Sequence, residues 1–246
     1  ESTGGSRYSA FQFRATRYLS RGLAFDLSYT RSRARDNSST IFGDELATEP
    51  WGRSNFDRRD TITATWFCQV RAGPGLRDRA PWLDRWQLSG TWRLRSGLPL
   101  DIRQTQDPTF SFVRVGRPDV TGEFRRLDPA VRRTFTLPSG QTLSGRFAFD
   151  PTVFQRVAPA NFDELREGSA PRNGFSSRGF QQWDLRLARP FAISEEISST
   201  LGLDFLNVFG NRNWDLPFRN IDDPYFGIVA AEGLRRTVQI NARFAF

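Results

Sequence analysis

Trp86-Gln87-Leu88-Ser89-Gly90-Thr91-Trp92-Arg93-Leu94-Arg95 is the stretch that decides the fold. Leu88, Trp92 and Leu94 occupy one set of alternate positions, and Gln87, Ser89, Thr91, Arg93 and Arg95 occupy the other. Successive side chains of a strand point to opposite faces, so this run predicts a strand with one apolar and one strongly polar face. The pattern recurs on both sides. Phe11, Phe13 and Ala15 oppose Gln12, Arg14 and Thr16; after the turn Ser20-Arg21-Gly22, Leu23, Phe25, Leu27 and Tyr29 oppose Asp26, Ser28 and Thr30. Ile62, Ala64, Trp66, Cys68 and Val70 alternate with Thr61, Thr63, Thr65 and Gln69. Downstream, Trp183, Leu185 and Leu187 oppose Gln182, Asp184 and Arg186, and Leu201, Leu203 and Phe205 oppose Thr200, Gly202 and Asp204. The last run sets Val238, Ile240, Ala242, Phe244 and Phe246 against Gln239, Asn241 and Arg243. The expected fold is all-β, with about seven antiparallel strands.

The mean hydropathy of -0.53 and the lack of an apolar run near the roughly 18 to 20 residues of a spanning helix exclude an α-helical membrane protein. They are compatible with a transmembrane β-barrel, whose strands alternate lipid-facing and lumen-facing residues and so keep a low average hydropathy. The 23 Phe and 7 Trp among 246 residues fit the aromatic girdles such a barrel needs. All 35 basic residues are Arg, and the formal net charge is +8. These arginines are interleaved with carboxylates, as in Asp57-Arg58-Arg59-Asp60, and no nucleic-acid-binding motif accompanies them, so a lipopolysaccharide-facing surface or an anionic solute explains the charge better than nucleic acid. The lone Cys68 forms no intramolecular disulfide. With no His in the chain, the usual metal and thiol-histidine sites are also missing, and the expectation is a protein that is not an enzyme and needs no cofactor.

Connection lengths sort the strand ends. Short links at about 20–22, 71–85 and 190–198 alternate strictly with long ones at about 31–60, 97–180 and 210–236. Outer-membrane barrels have short periplasmic and long extracellular connections, which puts the C-terminus in the periplasm. An odd set of strands beginning outside predicts that residues 1–246 are the C-terminal portion of a larger barrel, with signal peptide and plug domain not included. Region 97–180 carries only short candidates, at Leu98 to Ile102, Phe110 to Val115 and Arg146 to Phe149, and reads as one large loop with small hairpins. A soluble β-sandwich also alternates, but it would have to hide many sheet edges and an apolar outer face.

Several pieces in order resemble one family. They are Asn55-Phe56-Asp57-Arg58-Arg59-Asp60 before a strand, Trp86-Gln87-Leu88-Ser89-Gly90 leading to Ser96-Gly97-Leu98-Pro99, Gly116-Arg117-Pro118-Asp119 and Phe149-Asp150-Pro151-Thr152-Val153-Phe154. Later come Arg178-Gly179-Phe180, Trp183-Asp184-Leu185 and Phe205-Leu206-Asn207-Val208-Phe209-Gly210-Asn211. Together they are similar to the C-terminal part of TonB-dependent outer-membrane receptors, in the Oar-like group that often begins with a carboxypeptidase-regulatory-like domain. The family often has His after the paired arginines and after the turn near Asn207, where this chain has Asp60 and Gly210. The resemblance implies a barrel of the 22-stranded type, a plug, and solute import driven by contact with TonB. A passive porin and a soluble, lectin-like β-rich binding module are the alternatives.

The polar strand faces supply the candidate solute-contacting residues Arg93, Arg95, Asp184, Arg186, Asp204 and Arg243, together with Arg14 and Asp26. Cross-strand charge pairing is the competing role. Trp66, Trp86, Trp92, Trp183, Tyr18 and Tyr29 are assigned to girdles or lipid wall, whereas the loop aromatics Trp51, Trp214, Tyr225 and Phe226 are the candidates for ligand stacking. Asp222-Asp223 and Asp107 read as solvated loop acids rather than a metal site, and Asp57 with Asp60 as an ion-pair cluster at the rim. Arg17 interrupts an apolar face near a strand end, where its long side chain can snorkel. Phe244 and Phe246 resemble the terminal signal read by the barrel-assembly machinery.

Overall fold

The structure, a computed structural model, describes residues 4–39, 51–71, 84–110 and 116–246, with positions 73, 75, 79 and 82. Seven long strands form one antiparallel sheet: β1 (Ser6–Ser20), β2 (Leu23–Asp36), β3 (Asp60–Val70), β4 (Trp86–Arg95), β5 (Phe180–Ala192), β6 (Ser198–Leu206) and β7 (Thr237–Ala245). They pair in chain order, so β1 and β7 are its edges, and the two-residue strand Gly52–Arg53 adds to the end of β2. All seven are the strands that period-two alternation predicts. Arg21 and Gly22 join β1 to β2 with both residues at positive φ (51° and 80°), the type I′ geometry that suits the twist of a hairpin. A Cβ on Gly22 would lie 2.8 Å from the Gln69 carbonyl oxygen, so the turn also needs glycine for close approach to β3.

Register carries the alternation across the sheet. One apolar row runs Phe25, Trp66, Gly90, Leu185, Phe205 and Val238; the next runs Leu27, Ala64, Trp92 and Trp183. At Gly90 a Cβ would lie 2.8 Å from the Trp66 ring, so the indole covers the space a side chain would take. Trp92 and Trp183 stack at 4.8 Å near the long-loop end of the sheet, with Phe209 edge-on to Trp183 at 5.7 Å. At the opposite end, Arg189 lies over Phe191 and Trp86, at 4.7 and 6.0 Å. Arg17 sits opposite Phe25 on the apolar face and reaches the Ser20 carbonyl, close to the turn.

The first hairpin is longer than alternation predicts. Residues 31–36, read from the sequence as the start of a long polar link, continue β2 and pair with β1 as far as Ser6 opposite Asp36. Strand pairing needs only backbone donors and acceptors; here Ser32 and Asp36 are buried among polar partners while Arg31, Arg33 and Arg35 are exposed, so no apolar period marks it. Most of the 71–85 link, residues 40–50 and the candidate stretch 111–115 lie outside the described residues.

The core is not in the sheet. Among the described residues, Ala188 is the one buried hydrophobic residue on the seven long strands. The rest of the buried apolar set lies in the long connections, where Leu100, Ile102, Leu137, Leu143, Phe147, Phe149 and Phe154 pack with Ile221, Phe226 and Val229. The region read as one large loop is therefore a folded cap, built from residues 97–110, 116–179 and 207–236 together. Their backbones pair directly: Ala148 N donates to Gly227 O at 2.9 Å, Val229 N to Arg146 O at 3.0 Å, and Ile221 N to Arg103 O at 2.8 Å. Edge-on contacts of 5.4 to 5.7 Å join Phe149, Phe154 and Phe226. The candidates at Leu98 to Ile102 and Arg146 to Phe149 contribute Leu100, Ile102, Phe147 and Phe149 to this core.

Separate interiors predict separate failure. Phe149→Ala removes a fully buried ring and should cost the cap about 3 to 5 kcal/mol. Limited proteolysis should then cut within 97–179, while the sheet keeps its β-strand signature by circular dichroism.

Candidate functional site

The polar face of the sheet and the cap above its long-loop end form the candidate site. On the sheet, Arg14 donates to Asp26 at 2.8 and 3.0 Å, and Thr16 Oγ1 donates to the same carboxylate at 2.8 Å. Arg93 donates to Asp184 at 2.9 Å; Gln182 Nε2 and the Asn207 backbone N–H complete that carboxylate's set at 2.8 and 2.9 Å. Arg186 Nη1 donates to both Asp204 carboxylate oxygens, at 3.0 and 3.1 Å, its Nη2 donates to Asn241 Oδ1 at 2.9 Å, and Asn241 donates back to Asp204. Of the residues singled out by sequence, six are thus brought together as three ion pairs. Arg95 lies 5.7 Å from the Phe180 ring centroid, and Arg243 is exposed on the edge strand β7.

The loop aromatics divide. Phe226 is fully buried in the cap core, which removes it from the ligand-stacking candidates. Trp214 is half-buried against that core with the Arg146 guanidinium 5.4 Å over its ring. Tyr225 is exposed and packs on Phe218 at 5.5 Å; Trp51 is also exposed. Phe244 and Phe246 are exposed at the end of the last strand.

The rim holds the ion-pair cluster expected around Asp57. Its carboxylate is 1% exposed and accepts from the Ala34 N–H at 2.8 Å, Arg53 Nε at 2.9 Å and Arg59 Nε at 3.1 Å. Asp60 accepts from the Tyr29 hydroxyl at 2.8 Å. From this rim a polar seam runs into the cap. Arg172 and Asp36 form a buried pair, and Asn173 Nδ2 donates to Arg53 O and Asn55 Oδ1, both at 2.7 Å. The Asn173 N–H reaches Asp101, which also accepts from Arg103 at 2.7 Å and from Arg117. Sequence reading missed this seam. Its one trace is Asp101 between Leu100 and Ile102, a charge inside an apolar alternation.

On the cap, Thr105, Leu137, Gln141, Phe154, Arg156 and Asp222 line an open cleft of about 600 Å3. Pro138 brings exposed apolar surface to it; Arg156 and Asp222 face each other at 3.5 Å. Asp222 also accepts from the Thr105 N–H at 2.7 Å, Asp223 from the Tyr225 N–H at 2.8 Å, and Asp107 from Thr109, so these loop acids hold turns and segments together. The cleft combines a cation, an anion and a greasy wall, suited to a solute with both charged and apolar parts.

Burial pushes the Asp101 carboxyl up, but the charges of Arg117 and Arg103 outweigh it and hold it below the usual carboxylate range. A depressed folded value gives stability that is fully present above the unfolded pKa of about 3.9 and is lost as pH falls through the folded one. Acidification below about pH 4 should therefore loosen the cap, read as protease cleavage within 97–179. Asp101→Asn takes the carboxylate away from the buried Arg117 and the half-buried Arg103 and should already expose the cap to cleavage at neutral pH, at a cost of about 3 kcal/mol.

No curated protein matches the chain. Among solved structures, P. aeruginosa FpvA bound to a heterologous pyoverdine and iron is 10% identical, with a TM-score of 0.42, over 98% of this chain and 19% of that one. The chain thus spans about a fifth of that protein's length. The family described as outer membrane beta barrel domain matches residues 1–239, nearly the whole chain. That match, over a seven-stranded meander with one apolar and one polar face, shows that the chain belongs to the outer membrane beta barrel domain family.

Proposed function

We propose that this chain is wall and extracellular loops of a TonB-dependent outer-membrane transporter of the Oar-like group, importing a solute through a 22-strand barrel. The observation that carries the reading is the folded cap: a passive pore needs no loop body with its own aromatic core and a cleft of about 600 Å3. The ordered motifs from Asn55-Phe56-Asp57 to Phe205-Leu206-Asn207 support the same family. In this reading the C-terminus is periplasmic, the cap faces the medium, and the polar strand faces line a lumen filled by an upstream plug. Arg93, Arg95, Asp184, Arg186, Asp204 and Arg243 then meet plug and passing solute, while Trp214 and Tyr225 belong to the outer loops. TonB engages a segment outside residues 1–246, the barrel-assembly machinery reads the strand ending in Phe244 and Phe246, and lipid and lipopolysaccharide surround the wall. The protein performs no covalent chemistry.

A porin shares the wall and lacks the plug, and conductance separates the two. The full-length protein in a planar bilayer should pass no steady current until denaturant on one side unfolds the plug; current on insertion, without denaturant, would mean a porin. Orientation has its own readout. Gly140 sits at a tight turn with open space around it, so an epitope placed between Ser139 and Gly140 should bind antibody on intact cells. Binding only after permeabilisation would reverse the orientation.

A further inference from the structure

Where β6 leaves the sheet and β7 re-enters it, four arginines and one glutamate line a single hollow, two of the arginines close to the carboxylate. Arg146, Arg212, Arg235 and Arg236 line a hollow of about 220 Å3 together with Glu232 and Gly210. Glu232 accepts from Arg235 at 3.1 Å and lies 3.7 Å from Arg212 Nε. The Glu232 side chain is 14% exposed, while those of Arg212 and Arg235 are 54% and 78% exposed, so both cations keep donors turned to the outside. Arg146 lies on Trp214. Gly210, at φ 63°, leaves the Arg236 side of the hollow open; a Cβ there would lie 3.3 Å from the Arg236 guanidinium. Four positive charges against one negative leave the hollow with a net positive charge that favours an anion.

Position and donor chemistry identify the anion. The hollow lies at the long-loop end of the apolar band, next to the exposed side chains Phe209, Leu234 and Val238. A carboxylate satisfies one guanidinium fork, whereas a phosphate group presents several oxygens and up to two charges and can bridge several arginines at once. A group that reaches a cationic hollow while its remainder lies on adjacent apolar surface is a lipid headgroup.

We propose that this hollow binds a phosphate group, that of a phosphorylated lipid of the outer leaflet. The leaflet rests on the orientation proposed above; the phosphate chemistry does not. The test uses the full-length protein in uncharged detergent, titrated with diphosphoryl lipid A, dephosphorylated lipid A and inorganic phosphate, with bound species counted by native mass spectrometry. The wild type should prefer the diphosphoryl lipid to its dephosphorylated form by roughly tenfold or more. Arg212→Gln/Arg235→Gln/Arg236→Gln should erase that preference, and Glu232→Gln should increase it. Displacement of the lipid by inorganic phosphate at comparable concentration would support the phosphate site and assign it to the free ion. Equal binding of the two lipid forms would overturn the proposal, as would a triple variant that retains the preference while keeping the heat-modifiable mobility of a folded barrel. A reversed epitope with the preference intact would sink the outer-leaflet assignment alone.

Discussion

A backbone amide in hydrocarbon has no water to turn to, and that constraint organises the molecule. The strands β2 to β6 satisfy their N–H and C=O groups on both neighbours, in unbroken chain order, while β1 and β7 each pair on one side. Because the strands are held by each other rather than by a packed interior, both faces are free for other tasks. One carries the apolar rows through Trp66 and Gly90, the other the ion pairs Arg93–Asp184 and Arg186–Asp204. The burial of apolar area that would hold a soluble sandwich together is displaced to the cap, where phenylalanines from two connections close on one another.

The strands were legible in the sequence because period-two alternation records the two solvents of a barrel wall. It fails at residues 31–36 of β2, where one face packs on polar partners and the other is exposed, so the strand pairs without any apolar signal. The cap was illegible for a different reason. Its core is assembled from segments of two to four residues whose apolar positions follow no single period, so Phe135, Phe147, Phe154 and Phe226 look like scattered loop aromatics until tertiary contacts join them.

The candidate site was legible by face and not by partner. Alternation places Arg93, Asp184, Arg186 and Asp204 on one side of the sheet, but pairing depends on register. Arg186 stands directly opposite Asp204, whereas Arg93 stands opposite Gln182 and reaches Asp184 on the diagonal. Asn241, which completes the Arg186–Asp204 group, comes from the adjoining strand β7, and Gly202 opposite it leaves the room, since a Cβ there would lie 2.7 Å from the amide oxygen. The arginine hollow depends on loop geometry that no periodicity encodes.

The seam through Arg172 and Asn173 has a kinetic meaning. Arg172 meets Asp36 across 136 positions of chain, and Asn173 meets Arg53 across 120. Contacts of such sequence separation form after local hairpins, because the chain between them must first be confined. Interactions made late are absent from the unfolding transition state and slow the escape from the native form. A buried polar joint of this kind acts as a clasp: it adds little to the order in which the wall is laid down, and much to the time the finished assembly survives.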